Sequence, residues 1–108
     1  MNCYNISLMG NDDDRNWTFL TNHGHVLLCI SRNEQIRARD IAAQVGITER
    51  ATQRIIADLV ASGYITIIHE GRRNRYTLND RLPLRHPVEN THLVGELLHV
   101  LMDPKDKA

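Results

Sequence analysis

Several function classes are excluded by what the chain has little of. Two cysteines among 108 residues, Cys3 and Cys29, are too few for a disulfide framework, and in a reducing compartment both stay thiols. Cys29 lies in the apolar run Val26-Leu27-Leu28-Cys29-Ile30 and reads as a small core residue. Cys3 is the more accessible thiol, but no basic neighbour is placed to activate it. No secretory leader, lipidation motif or apolar run of membrane-spanning length is visible, which leaves no membrane partner and makes the cytoplasm the expected location. There is no glycine loop to cradle a phosphate, no nucleophile elbow and no paired-carboxylate constellation, so neither an enzyme nor a cofactor is expected. Aromatics make up only 5% of the chain, and no exposed pair suited to stacking bases is evident, which speaks against RNA. With 42% hydrophobic residues the chain can build one modest core, and a domain of this size gains stability by dimerising.

The most informative stretch that is present runs from Ile36 to Ile55, IRARDIAAQVGITERATQRI. Ile41 and Val45 are four apart and share one face of a short helix, while Ala42 is small enough for a second helix to cross closely. The helix begins near Arg37 or Ala38 without a good N-cap. Gly46 stands where it must stop and the backbone needs positive φ, Ile47 plugs the turn, and Thr48 caps a second helix that meets no glycine or proline before Gly63. Steps of about 100° place Ile55, Ile56, Leu59 and Val60 on the apolar face of that helix. Arg50, Arg54, Ala57 and Ala61 fall opposite, with Gln53 at the edge. Long donors that reach base edges, beside alanines that allow close approach, suit a helix entering a major groove. An arginine pair alone is also what an ordinary solvated face carries.

The segment after Gly63 decides between these readings. Tyr64-Ile65-Thr66-Ile67-Ile68-His69 is β-branched, Gly71-Arg72-Arg73-Asn74 interrupts it, and Arg75-Tyr76-Thr77-Leu78 resumes it, giving a β-hairpin with a basic tip. A hairpin directly after the second helix of a helix-turn-helix is a wing, and Arg72, Arg73 and Arg75 are placed to hold phosphates or enter a minor groove. The net charge of zero seems to oppose a nucleic-acid partner, but the charge is unevenly spread. From Arg37 to Arg85 there are nine arginines against five acids, whereas the segments on either side each carry a deficit of two. Within the basic segment every cation is arginine, whose planar fork suits phosphate and guanine.

From Asn16 to about Leu101 the chain resembles small winged-helix transcriptional regulators of the MarR-like type. The resemblance is carried by an opening NWTFLTNHGHVLL, a helix-turn-helix GITERATQRII, a wing GYITIIHEGRRNRYTL and a tail PLRHPVENTHLVGELL. It implies that Thr48 to Arg54 open the recognition helix and that Arg72 to Arg75 form the wing. Two departures stand out. Thr52 occupies a position where such helices more often carry an aliphatic residue, and the chain is shorter than typical members, which puts their several dimerisation helices and effector pocket in question.

The expected fold is mainly α with a small β-hairpin: a winged helix-turn-helix plus a C-terminal dimerisation helix. Residues 1–15 form an N-terminal extension in which Tyr4, Ile6 and Leu8 alternate before an acidic linker. Residues 16–82 form the DNA-binding domain, with a first helix from about Asn22 to Ser31, a recognition helix over about 48–62 and a wing over about 65–78. A short extended piece near Gln35 and Ile36 is expected to pair with the wing as a third strand. Residues 83–102 form a connector and a final helix from Val88 to Met102, and 103–108 a polar tail. That helix carries more apolar surface than one small core can cover, so Leu93, Val94, Leu97, Leu98 and Leu101, together with Trp17 and Phe19, are expected at a homodimer interface. Gly95 allows a neighbouring helix to approach. His23 and His25 cannot share a helical face, and His92 with His99 on the final helix lacks further ligands, so no metal site is expected. His69 and His86 read as polar surface near the DNA-facing side.

The function expected is that of a sequence-specific regulator of transcription on double-stranded DNA, a homodimeric repressor read through Thr48, Arg50, Gln53, Arg54, Arg72, Arg73 and Arg75. The competing reading is a winged-helix module that binds protein or serves assembly, since a fold does not fix its use.

Overall fold

In the computed structural model, residues 16–102 are described. The alternation at Tyr4, Ile6 and Leu8, the thiol of Cys3 and the tail from 103 lie outside them. Three helices come first: α1 (Asn22–Arg32), α2 (Ala38–Val45) and α3 (Glu49–Ala61). A hairpin of β1 (Ile65–Glu70) and β2 (Arg73–Leu78) comes next, and then α4 (Val94–Val100).

Local chemistry sets the helix ends. The Thr21 hydroxyl accepts the Gly24 amide at 3.3 Å and starts α1, which buries Val26, Leu27 and Ile30. α2 starts at Arg37 without a side-chain cap and stops at Gly46, whose φ of 85° admits glycine readily. The Gly46 amide closes the turn on the Ala42 carbonyl at 2.8 Å. Thr48 then caps α3 by accepting the Ala51 amide at 3.0 Å.

The buried stripe of α3 is Thr52, Ile55, Ile56 and Leu59. Thr52 is fully buried yet satisfied, because its hydroxyl donates to the Thr48 carbonyl at 3.0 Å. A threonine therefore takes the place of an aliphatic residue without leaving a polar atom unpaired. Ile55, Ile56 and Leu59 are buried as expected, but the face extends one turn further towards the N-terminus to take in Thr52, and Val60 is left 38% exposed.

β1 and β2 pair antiparallel, from Ile65 opposite Leu78 to Glu70 opposite Arg73. The loop is thus only Gly71-Arg72, with φ of 65° at Gly71, and Arg73 and Asn74 belong to β2 rather than to the break. The described sheet has two strands, not three. Near Gln35 the chain turns instead, with Asn33 accepting the Gln35 and Ile36 amides, so a single backbone bond from the Tyr76 amide to the Glu34 carbonyl (2.9 Å) replaces the expected strand.

The C-terminal segment departs most from expectation. α4 spans seven residues, not fifteen. Backbone bonds from Leu84 to His92, Val94 to Leu82 and Gly95 to Asp80 fold residues 80–95 back on themselves, which takes up amides a longer helix would need. The Tyr64 hydroxyl donates to the Pro83 carbonyl at 2.6 Å and ties this loop to the end of α3. Gly95 serves an approach of backbone rather than of a helix: a Cβ there would stand 2.6 Å from the Asp80 carbonyl oxygen. The Glu96 carboxylate accepts the Leu93 amide at 2.7 Å and opens α4, and this bond, aided by His92, holds its carboxyl below the usual range.

Val94 and Leu98, expected at a dimer contact, are instead buried in one core with Val26, Ile30, Ile41, Ile55, Leu59, Ile65 and Tyr76. His92 precedes α4, so it does not share a helical face with His99.

Candidate nucleic-acid interface

The N-terminal half of α3 presents Thr48, Arg50, Gln53 and Arg54 to solvent, with Ala57 exposed one turn further on. The buried stripe on the other side fixes this orientation. Among the described residues no hydrogen bond or ion pair engages the side chains of Arg50, Gln53 or Arg54. Asp58, one turn beyond Arg54 and the nearest acid along that row, is held instead by His23 Nε2 of α1 at 2.8 Å. This contact spans 35 positions of sequence, and no local pattern announces it. The Thr48 oxygen is used as a cap, but its hydroxyl proton remains available to a phosphate at the helix N-terminus.

The three wing arginines have unlike surroundings. Arg72 occupies the loop, is exposed and has no side-chain partner among the described residues. Arg73 donates from Nη2 to the Gln35 carbonyl at 3.0 Å. Arg75 is half-buried and donates from Nε to Glu70 at 3.3 Å across the hairpin. His69 and Asn74 meet at 2.9 Å on the other side of the strand pair. His86 lies in the connector, accepting the Val88 amide at 3.1 Å on Nδ1.

A different surface feature lies at the opposite end of α3. A cavity of about 620 Å³ opens between the start of α1, the last turn of α3 and α4, with Leu27, Leu59, Leu84 and Leu97 among its walls. Phe19 and Leu101 line it too. Phe19 is 93% exposed and packs edge to face on Trp17, itself 65% exposed, with ring centroids 4.9 Å apart. The chain therefore does display an exposed aromatic pair, contrary to expectation, in an edge-on geometry that covers one ring's edge with the other's face. Leu93 is exposed on the far side of α4. Cys29 is partly buried beside Gln44, and burial pushes its thiol above the usual value, with Arg32 opposing.

A capped second helix with free outward arginines, followed directly by a two-stranded hairpin, has a counterpart among known families. Residues 20–66 match the family model described as winged helix-turn-helix DNA-binding. The fold is a winged helix-turn-helix. Within it α2 and α3 are the helix-turn-helix proper and β1–β2 the wing. The winged helix is similar to the crystal structure of RV1404 from Mycobacterium tuberculosis, with a TM-score of 0.52 and 20% sequence identity. That likeness covers 87% of this chain and 66% of the other, and at such identity it is a likeness of fold. No curated protein sequence matches the chain. Among the described residues no helix is long and apolar enough to cross a membrane.

Proposed function

We propose that the protein is a cytoplasmic, sequence-specific regulator of transcription of the MarR-like kind, acting as a homodimeric repressor on double-stranded DNA. The observation that carries this reading is the unpaired, outward row Arg50, Gln53 and Arg54 on a helix whose other face is buried. Charged side chains on a helix commonly find an i,i+4 partner, and the candidate partner Asp58 is occupied by His23. Arginine can take guanine in a bidentate contact and glutamine can do the same with adenine, while Ala57 keeps the approach close. Thr48 and the α3 N-terminus orient a phosphate, and the wing adds sequence-independent attraction through Arg72.

Dimerisation accounts for the surface that the fold leaves uncovered. Trp17, Phe19, Leu93 and Leu101 keep large apolar area in water, and Leu97 lines the open cavity beside them. A two-fold pair would cover that surface and set two α3 helices on successive major grooves. Repression follows if the bound dimer occludes a promoter.

Selection of bound duplexes from a random-sequence pool, with solution mass measured free and bound, tests this directly. The expected result is one enriched motif with two half-sites about 10 base pairs apart, bound by a particle of twice the chain mass. A pool that stays unenriched would favour an interaction module instead.

A further inference from the structure

The wing's three arginines, equivalent by sequence, are not equivalent in place. We infer that Arg73 is a positioning residue that pins the wing to the α1–α2 connection, leaving Arg72 as the wing arginine that neutralises phosphate. This inference rests on the DNA-binding reading for the part played by Arg72, but the pin itself does not.

The hairpin is anchored at its base and bare towards its tip. Ile65 and Tyr76 are buried in the core, whereas Glu70, Gly71, Arg72, Arg73 and Asn74 are all exposed. A two-stranded ribbon has no further strand to stiffen its outer half. Beyond the core, the described contacts of β2 with the rest of the domain fall on two successive carbonyls of the α1–α2 connection. The Tyr76 amide donates to Glu34 at 2.9 Å and the Arg73 guanidinium donates to Gln35 at 3.0 Å. Tyr76 and Arg73 are three residues apart, so the two bonds leave β2 at points separated by roughly 10 Å of strand. One bond alone acts as a pivot, and two at that spacing fix the angle of the ribbon. The Gln35 carbonyl is available because the connection forms a turn rather than a third strand, and a guanidinium is long enough to reach it and gives a charge-assisted bond.

Arg75 is committed differently. Its partner Glu70 lies opposite Arg73 in the register and diagonal to Arg75, so one carboxylate sits between two cations on the same face of the ribbon. That arrangement offsets the repulsion between Arg73 and Arg75 and closes the outer half of the hairpin. Arg72, in the loop, has neither a carbonyl nor a carboxylate to hold it, and its position in space is set by the angle of the strands beneath it.

Two measurements test the inference. In the free protein, amide hydrogen exchange at Tyr76 reads the pin without any DNA. Arg73→Ala should speed exchange at Tyr76 about five-fold or more, the factor expected for loss of a bond worth about 1 kcal/mol, while Arg72→Ala leaves it unchanged. Unaltered exchange in Arg73→Ala overturns the pin. On the duplex selected by the wild type, a double-mutant cycle reads the consequence. Arg72→Ala should reduce the slope of log affinity against log salt by about 0.9, and adding Arg73→Ala to it should change neither slope nor affinity further. If the two losses add and the slope falls a second time by about 0.9, Arg73 neutralises a phosphate itself and the inference is wrong. A wild type that selects no duplex overturns the DNA-binding reading and the role of Arg72, and the exchange measurement still decides the pin.

Discussion

Arg54→Ala is expected to weaken binding to the selected duplex by about 5- to 150-fold, the equivalent of one bidentate base contact at about 1–3 kcal/mol. It is also expected to relax the preference at the base pair that Arg54 reads. Arg54 stands one turn into α3, exposed and free of any described intramolecular partner, so its removal breaks nothing within the fold. Stability should therefore change by no more than about 0.5 kcal/mol, as for surface substitutions away from caps and core. This contrast separates a lost contact from a lost fold. Anisotropy titrations of wild type and variant against the selected duplex and its single-base-pair substitutions provide the check. An unchanged consensus with unchanged affinity would remove Arg54 from base reading.

Ile41→Ala is expected to cost about 2–5 kcal/mol of folding free energy, the range for truncating a buried isoleucine without collapse of the cavity left behind. The reason lies in how little else holds α2. The helix has eight residues, no side-chain N-cap, and only Ile41 and Ala42 buried. Ile41 is completely shielded from solvent, packed in the cluster that Ile30 and Ile55 share. A helix of two turns has little stability of its own in water, so its tertiary contacts decide whether it forms. Loss of that anchor frees α2 from α3 and removes the platform on which the outward arginines are aimed. Thermal unfolding should show a fall in Tm of about 8 °C or more, given roughly 4–8 °C per kcal/mol for a small domain. A cost below about 1 kcal/mol would mean that α2 is held by something other than this side chain.

The parts of the fold that were legible in the sequence are those set by near neighbours. The stop at Gly46, the cap at Thr48, the α3 stripe of Ile55, Ile56 and Leu59 and the hairpin after Gly63 each come from spacing within a few residues. The exposed row Arg50, Gln53 and Arg54 comes from the same periodicity. The features that escaped depend on partners far along the chain. His23 meets Asp58, Tyr64 meets Pro83, and the backbone of Leu82 and Asp80 takes the amides of Val94 and Gly95. An apolar run such as Leu93 to Met102 states that something must be buried but not against what, and Val94 and Leu98 turned inward while Leu93 did not. Spacing alone puts Val60 in the buried face in place of Thr52, because a threonine looks polar until its hydroxyl finds the Thr48 carbonyl. The wing arginines were legible as a basic tip, but their division into Arg72, Arg73 and Arg75 required the turn at Asn33 to Ile36 that no strand pattern indicates.

The proposed function stands on duplex DNA being received by the free face of α3 and the wing tip. Backbone amide chemical shifts, followed residue by residue as the selected duplex is added to the full chain, probe that contact without any mutation. The largest changes are expected on residues 48–54 and on 71–73, with Trp17, Leu93 and Leu101 little affected. Changes confined to the Phe19, Leu97 and Leu101 cavity, with residues 48–54 silent, would contradict it.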